Sequence, residues 1–240
     1  MSLTELPLMP DLPTERMMAQ ARLVGSRSDL AFRCLLDTTS RPGLVGRFVD
    51  PLFVGIPAVL LPALTLANVD TTVAVIGDDA SDDAAGWLTL LCRATDSQPA
   101  NASAADIVTV VGRIDPALSS RLRPGTPENP ELGARLVLAC EALCAPEGSG
   151  PTNNLTRDGD VVLELRGPGV DGTCRLVVVG VPVEFFARLA AVNAEPSCGI
   201  DVHLVEPGGR TVALPRSTHI TVLEGHVARS GLPTELASPN

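Results

Sequence analysis

The sequence predicts an α/β protein, with a mixed β-sheet of about seven strands covered by helices. Three observations carry that reading. Short runs rich in Val, Ile and Leu at 73–76, 107–111, 161–165 and 176–179 have the length and composition of strands. In the first half of the chain such runs alternate with helical patterns, and in the second half they follow one another, as in a sheet with parallel and antiparallel parts. The length of 240 residues suits one large α/β domain or two small ones, and no internal repeat divides it.

The elements follow in order. Residues 1–28 carry Pro7, Pro10 and Pro13 and read as a loose N-terminal arm with at most a short helix. A single domain over 29–224 is expected after it. Asp29 is placed to cap a helix whose apolar face is Leu30, Phe32, Leu35 and Leu36. Ser40-Arg41-Pro42-Gly43 stops this helix, because Pro cannot continue it and Gly43 permits a sharp turn. Residues 57–68 read as a buried helix, and 73–76 as a strand. The acidic run 78–83 reads as a turn and cap, with Asp82 or Asp83 facing the positive end of a helix near 84–91. A strand at 107–111 is followed by a short helix opened by Asp115-Pro116. Residues 136–143 read as a strand, 145–159 as an inserted loop rich in Pro, Gly, Ser and Asn, and 161–165 as the next strand. Gly167-Pro168-Gly169 makes a tight turn that can reverse the chain or present amides to an oxyanion. A strand at 176–179 and an amphipathic helix at 182–193 follow. The runs 202–205 and 212–214, with Pro207, Gly208 and Gly209 between them, form a hairpin. The tail, 225–240, is polar and is expected to fray.

Composition excludes several kinds of chemistry. The formal net charge is −10, which disfavours nucleic-acid binding through bulk phosphate neutralisation. All 18 basic residues are Arg. Without Lys the chain cannot form a Schiff base with pyridoxal phosphate or a carbonyl substrate, and it has no Lys for a P-loop. Six cysteines include no paired C-x₂-C motifs, so neither a zinc site nor any other metal or cofactor is expected. The apolar run 54–67 is short and broken by Pro57 and Pro62, so no membrane span is expected. No charged-then-apolar leader opens the chain, which reads as cytoplasmic with reduced, mostly buried thiols.

Polar residues gather at the ends of the final hairpin: Asp201, His203, Arg216, Thr218 and His219. Arg offers a rigid fork of donors, so the group suits a phosphate or carboxylate. The same residues suit an internal ion pair or a subunit contact, and ion-pair networks cluster charge just as sites do. The structural reading is favoured. Arg33 and Arg41 are further anion-binding candidates, with His219 or His203 as a proton carrier. No nucleophile–base pair appears at a readable spacing.

Several motifs resemble the PhnH subunit family of the bacterial carbon–phosphorus lyase system. They are Phe32-Arg33-Cys34-Leu35-Leu36 through Arg41-Pro42-Gly43, the run 60–66 followed by Asp70 and Thr72, Gly133-Ala134 before an apolar strand, and Leu165 to Gly169. The most specific is Gly199-Ile200-Asp201 followed by Leu214-Pro215-Arg216-Ser217-Thr218-His219. The resemblance implies a fold similar to the large domain of pyridoxal phosphate-dependent transferases, without the cofactor. It implies assembly with PhnG, PhnI and PhnJ subunits, a homodimer, and an accessory role in transferring ribose 5-triphosphate from a purine nucleotide to an alkylphosphonate. The alternative it leaves open is a direct contribution to phosphate or phosphonate binding at the transferase site.

Overall fold

The computed structural model describes residues 14–48, 55–78, 83–144 and 160–225. The expected loop at 145–159 and all but Gly225 of the expected tail lie outside these residues, as does Asp82. The architecture is a mixed α/β fold of three layers. The central layer is a seven-stranded sheet in the order β1-β10-β9-β5-β4-β2-β3. Its strands are β1 (Gly46–Arg47), β2 (Thr72–Ile76), β3 (Gln98–Pro99), β4 (Ile107–Val110), β5 (Arg135–Ala139), β9 (Asp201–Val205) and β10 (Arg210–Leu214). Strands β3, β2, β4, β5 and β9 run parallel, while β10 and β1 are antiparallel to their neighbours. The strands β6 (Ala142–Cys144), β7 (Asp160–Arg166), β8 (Cys174–Val179) and β11 (His219–Gly225) form a separate antiparallel sheet.

Alternation along the strands builds two cores. On β5, Leu136 and Leu138 face the second sheet and α5 (Val183–Val192), while Val137 and Ala139 face the helices on the other side. Val202 and Leu204 of β9 join the first core, and Val205 joins the second. Burial on both faces explains the nearly continuous apolar runs of these parallel strands. The helical layer comprises α1 (Glu15–Ala21), α2 (Ser26–Ser40), α3 (Leu61–Leu66, entered by a 3₁₀ turn at Ala58–Leu60) and α4 (Asp83–Thr95). Trp87, Leu90 and Leu91 of α4 are fully buried in it.

Several expectations need correction. The mixed sheet has the expected seven strands, but its membership differs: β7 and β8 belong to the second sheet, and the two-residue strands β1 and β3 complete the first. The run 136–143 is not one strand: β5 ends at Ala139, and β6 pairs with β8 instead. The short helix allowed for in the arm is Glu15–Ala21, capped by Thr14, and it is tied down by Ala21, which is fully buried. The helix α2 begins at Ser26 rather than Asp29. Its N-cap is Gly25 at φ 56°, a left-handed conformation that glycine adopts without strain. Its buried face is Ala31, Leu35 and Thr38. Leu30, Phe32 and Leu36 are instead exposed, Phe32 at 49% and Leu36 at 55%.

The six thiols are free, with only Cys140 and Cys198 fully buried and Cys144 exposed. Burial pushes the Cys34 thiol up to about 11 and raises Cys92, Cys140 and Cys174 as well. These four are therefore poor nucleophiles at neutral pH. No helix among the described residues is long and apolar enough to cross a membrane.

Candidate functional site

Two of the polar residues predicted from the hairpin, Asp201 and Arg216, line an open cleft of about 770 Å³. Its walls come from the amino ends of the parallel strands: Asp70 and Thr71 before β2, Asp106 before β4, Arg135 opening β5 and Asp201 opening β9. Open α/β sheets usually bind ligands at the opposite, carboxyl ends. Here the carboxyl ends of β5 and β9 lead into the junction with the second sheet. Glu206, just past β9, accepts the Leu143 backbone N–H and a 3.3 Å bond from Arg210.

Arg216 sits in the cleft wall with its guanidinium almost saturated. Its Nε donates to Asp201 Oδ1 at 3.2 Å, and one terminal nitrogen donates to Asp201 Oδ2 at 2.8 Å and the Gly133 carbonyl at 3.4 Å. The other terminal nitrogen donates to the Pro130 carbonyl. The Arg216 backbone N–H adds a 2.9 Å bond to Asp201 Oδ1. This clamp ties the end of the hairpin to the loop before β5. Burial works to raise the Asp201 carboxyl, but the Arg216 hydrogen bonds and the Arg216 and Arg135 charges outweigh it and hold it below the usual carboxylate range.

Two glycines make room for the clamp. A Cβ on Gly133 would strike the Arg216 guanidinium and the Gly199 carbonyl. Gly199 has φ 129°, and a Cβ there would strike the Asn193 side chain. Asn193, at the end of α5, accepts from the Ile200 backbone N–H at 2.9 Å and donates to its carbonyl at 3.1 Å, which fixes the entry to β9. The Gly-Ile-Asp and Pro-Arg motifs are therefore parts of one joint.

A second ionic cluster flanks it. Asp106 accepts from the Thr72 backbone N–H at 2.7 Å, its hydroxyl at 2.6 Å and Arg123 at 2.5 Å. Partial burial again opposes ionisation, and the Thr72 and Arg123 hydrogen bonds override it, so the Asp106 carboxyl is lowered. The sequence offered no signal for this pair, because 17 residues separate its members.

The remaining candidates do not join Arg216. Arg33 is exposed on α2, and Arg41 pairs with Asp37 at 3.3 Å on the surface. His219 is exposed at the start of β11, in the other sheet. Thr218 is buried, and its hydroxyl has no hydrogen-bond partner among the described residues. His203 lies mid-strand on β9 rather than at a strand end, and it is 3% exposed. Arg135, which the sequence reading passed over, lines the cleft; its guanidinium has no hydrogen bond or ion pair among the described residues.

The Gly167-Pro168-Gly169 turn packs rather than cradles. A Cβ on Gly169 would overlap the Ser40 carbonyl, and one on Gly167 would lie 2.8 Å from the Ser217 carbonyl. The motifs at 40–43 and 165–169 thus meet each other in space.

A family model described as bacterial phosphonate metabolism protein (PhnH) matches residues 25–221. The chain belongs to the PhnH family. The match runs from the N-cap of α2 into β11 and includes both members of the clamp. PhnH membership gives the chain a part in bacterial phosphonate metabolism. No curated protein sequence matches it. Among the described residues, no group of three His, Cys, Asp or Glu side chains is placed to hold a metal ion.

Proposed function

We propose that this PhnH chain is an accessory, non-catalytic subunit of a carbon–phosphorus lyase core complex. In that role it supports the transfer of ribose 5-triphosphate from a purine nucleotide to an alkylphosphonate. Its partners are PhnG, PhnI and PhnJ subunits, and alone it forms a homodimer in the cytoplasm. The similarity to the large domain of pyridoxal phosphate-dependent transferases belongs to the same reading, as does a single domain over 29–224. A chain without Lys would carry that fold without its cofactor.

The observation that supports this is the saturation of Arg216. Four of its five N–H donors are used inside the protein, on Asp201, Pro130 and Gly133. A phosphate would have to displace Asp201 to gain a bidentate grip. The clamp instead fits a role in shaping the sheet edge that partners meet.

Co-purification with PhnG, PhnI and PhnJ tests the reading, using the wild type and Arg216→Ala. Wild type is expected to assemble. The variant, where it stays folded, is expected to assemble poorly. A variant that assembles normally while the complex loses transferase activity would move Arg216 to the ligand-binding alternative. Failure of the wild type to assemble would overturn the role.

A further inference from the structure

Next to the clamp lies a second, smaller cavity of about 120 Å³ between α2 and the β9–β10 edge. It shares Leu66, Arg135 and Asp201 with the cleft. Phe32 and Leu36 stand at its α2 wall, and both are about half exposed. Apolar cavities of about 150 Å³ take up benzene, so this one has room for a molecule of roughly six non-hydrogen atoms.

Two polar groups here lack partners. The Arg135 guanidinium has none among the described residues, and His203 Nδ1 is buried without one. Arg135 is half-buried, but a fully buried polar atom such as His203 Nδ1 is rarely left so. A water needs two to four polar contacts, and much of the surrounding wall is Phe32, Leu35, Leu36 and Leu66. Arg135 and Asp201 are direct register partners on β5 and β9, and His203 follows two residues along the same face. Asp201 already carries a full ion pair with Arg216 and also feels the Arg135 charge, so two guanidiniums share one carboxylate. The Asp201 carboxylate beside it would repel a dianion more strongly than a monoanion.

We infer that this cavity is a binding site for a short-chain organic monoanion, of the carboxylate class, held by Arg135 and His203 with its apolar tail against Phe32, Leu36 and Leu66. Arg135 supplies the fork for the carboxylate. The neutral imidazole supplies one further hydrogen bond as a donor, in the tautomer that carries its proton on Nδ1. The site is independent of the assembly role, since it needs neither a partner subunit nor a nucleotide.

The test is an NMR titration of the full chain with sodium butyrate, following the imidazole signals. Only three histidines are present, so His203 can be assigned by substitution. Butyrate is expected to shift the His203 signal to saturation at about millimolar concentration, the range open to so small a ligand. Butylamine and inorganic phosphate are expected to leave it unmoved. Arg135→Gln is expected to weaken butyrate at least about tenfold, the loss of one charged hydrogen-bonding partner. Leu36→Trp, at the exposed mouth, is expected to block the shift without disturbing the fold. An unchanged His203 signal, or an equal shift in Arg135→Gln, would overturn the site. Phosphate or methylphosphonate saturating as well as butyrate would overturn the monoanion assignment.

Discussion

Two polar regions share the amino end of β9 and differ in one respect. Around Arg216, nearly every donor and acceptor is matched, through two contacts to Asp201 and two to backbone carbonyls. Around Arg135 and His203, one strand away and two residues along, a guanidinium and a buried ring nitrogen have no hydrogen-bond partner among the described residues. The residue types are alike, so residue type alone cannot separate a joint from a site. Satisfaction separates them: a completed network rigidifies, whereas an incomplete one is a cost that a ligand can remove.

The largest expected effect falls on the completed side. Arg216→Ala leaves Asp201 partly buried and stripped of its charge partner, and should cost about 3 kcal/mol. Urea denaturation measures it, and a loss below about 1 kcal/mol would erase the distinction between the two regions. Gly133→Ala should cost about 2 kcal/mol, because its Cβ would collide with the guanidinium and the Gly199 carbonyl.

The incomplete side should show itself through pH. Burial, then the Arg135 charge, push the His203 imidazole down to about 4, with Asp201 acting the other way. The unfolded chain binds this proton near pH 6.5 and the folded chain only near pH 4, so stability present above pH 6.5 is lost as pH falls between those values. The expected slope is up to about 1.4 kcal/mol per pH unit, and His203→Leu should flatten it. The Asp201 pair is lost only lower, below its ordinary carboxylate range. Arg41→Ala should change stability by less than about 0.5 kcal/mol, since its pair with Asp37 is exposed.

Strand positions were legible in the sequence because period-2 alternation and β-branched content act locally. Sheet membership was not. The apolar, Val- and Leu-rich runs at 161–165 and 176–179 mark strands without saying which sheet they join, and the motif ending at His219 concealed that His219 opens β11. The two-residue edge strands β1 and β3 are too short for any periodic signal. Asp201 and Arg216 were legible because the hairpin brings them together. Arg135 was not, although Gly133-Ala134 beside it stood out, because a single charge at the start of an apolar strand resembles any solvated strand end. The helix α2 misled in a different way. Leu30, Phe32 and Leu36 resemble a core face by composition, but the buried row is Ala31, Leu35 and Thr38, at helical spacing.

The central claim is that Arg216 acts through Asp201 rather than on a ligand. A double-mutant cycle on the isolated chain tests it most directly, with Arg216→Ala, Asp201→Ala and both together unfolded in urea. The double variant is expected to lose little more stability than either single one, giving a coupling of about 2 kcal/mol between the two side chains. Additive losses with coupling near zero would contradict the clamp and return Arg216 to the list of anion-binding residues.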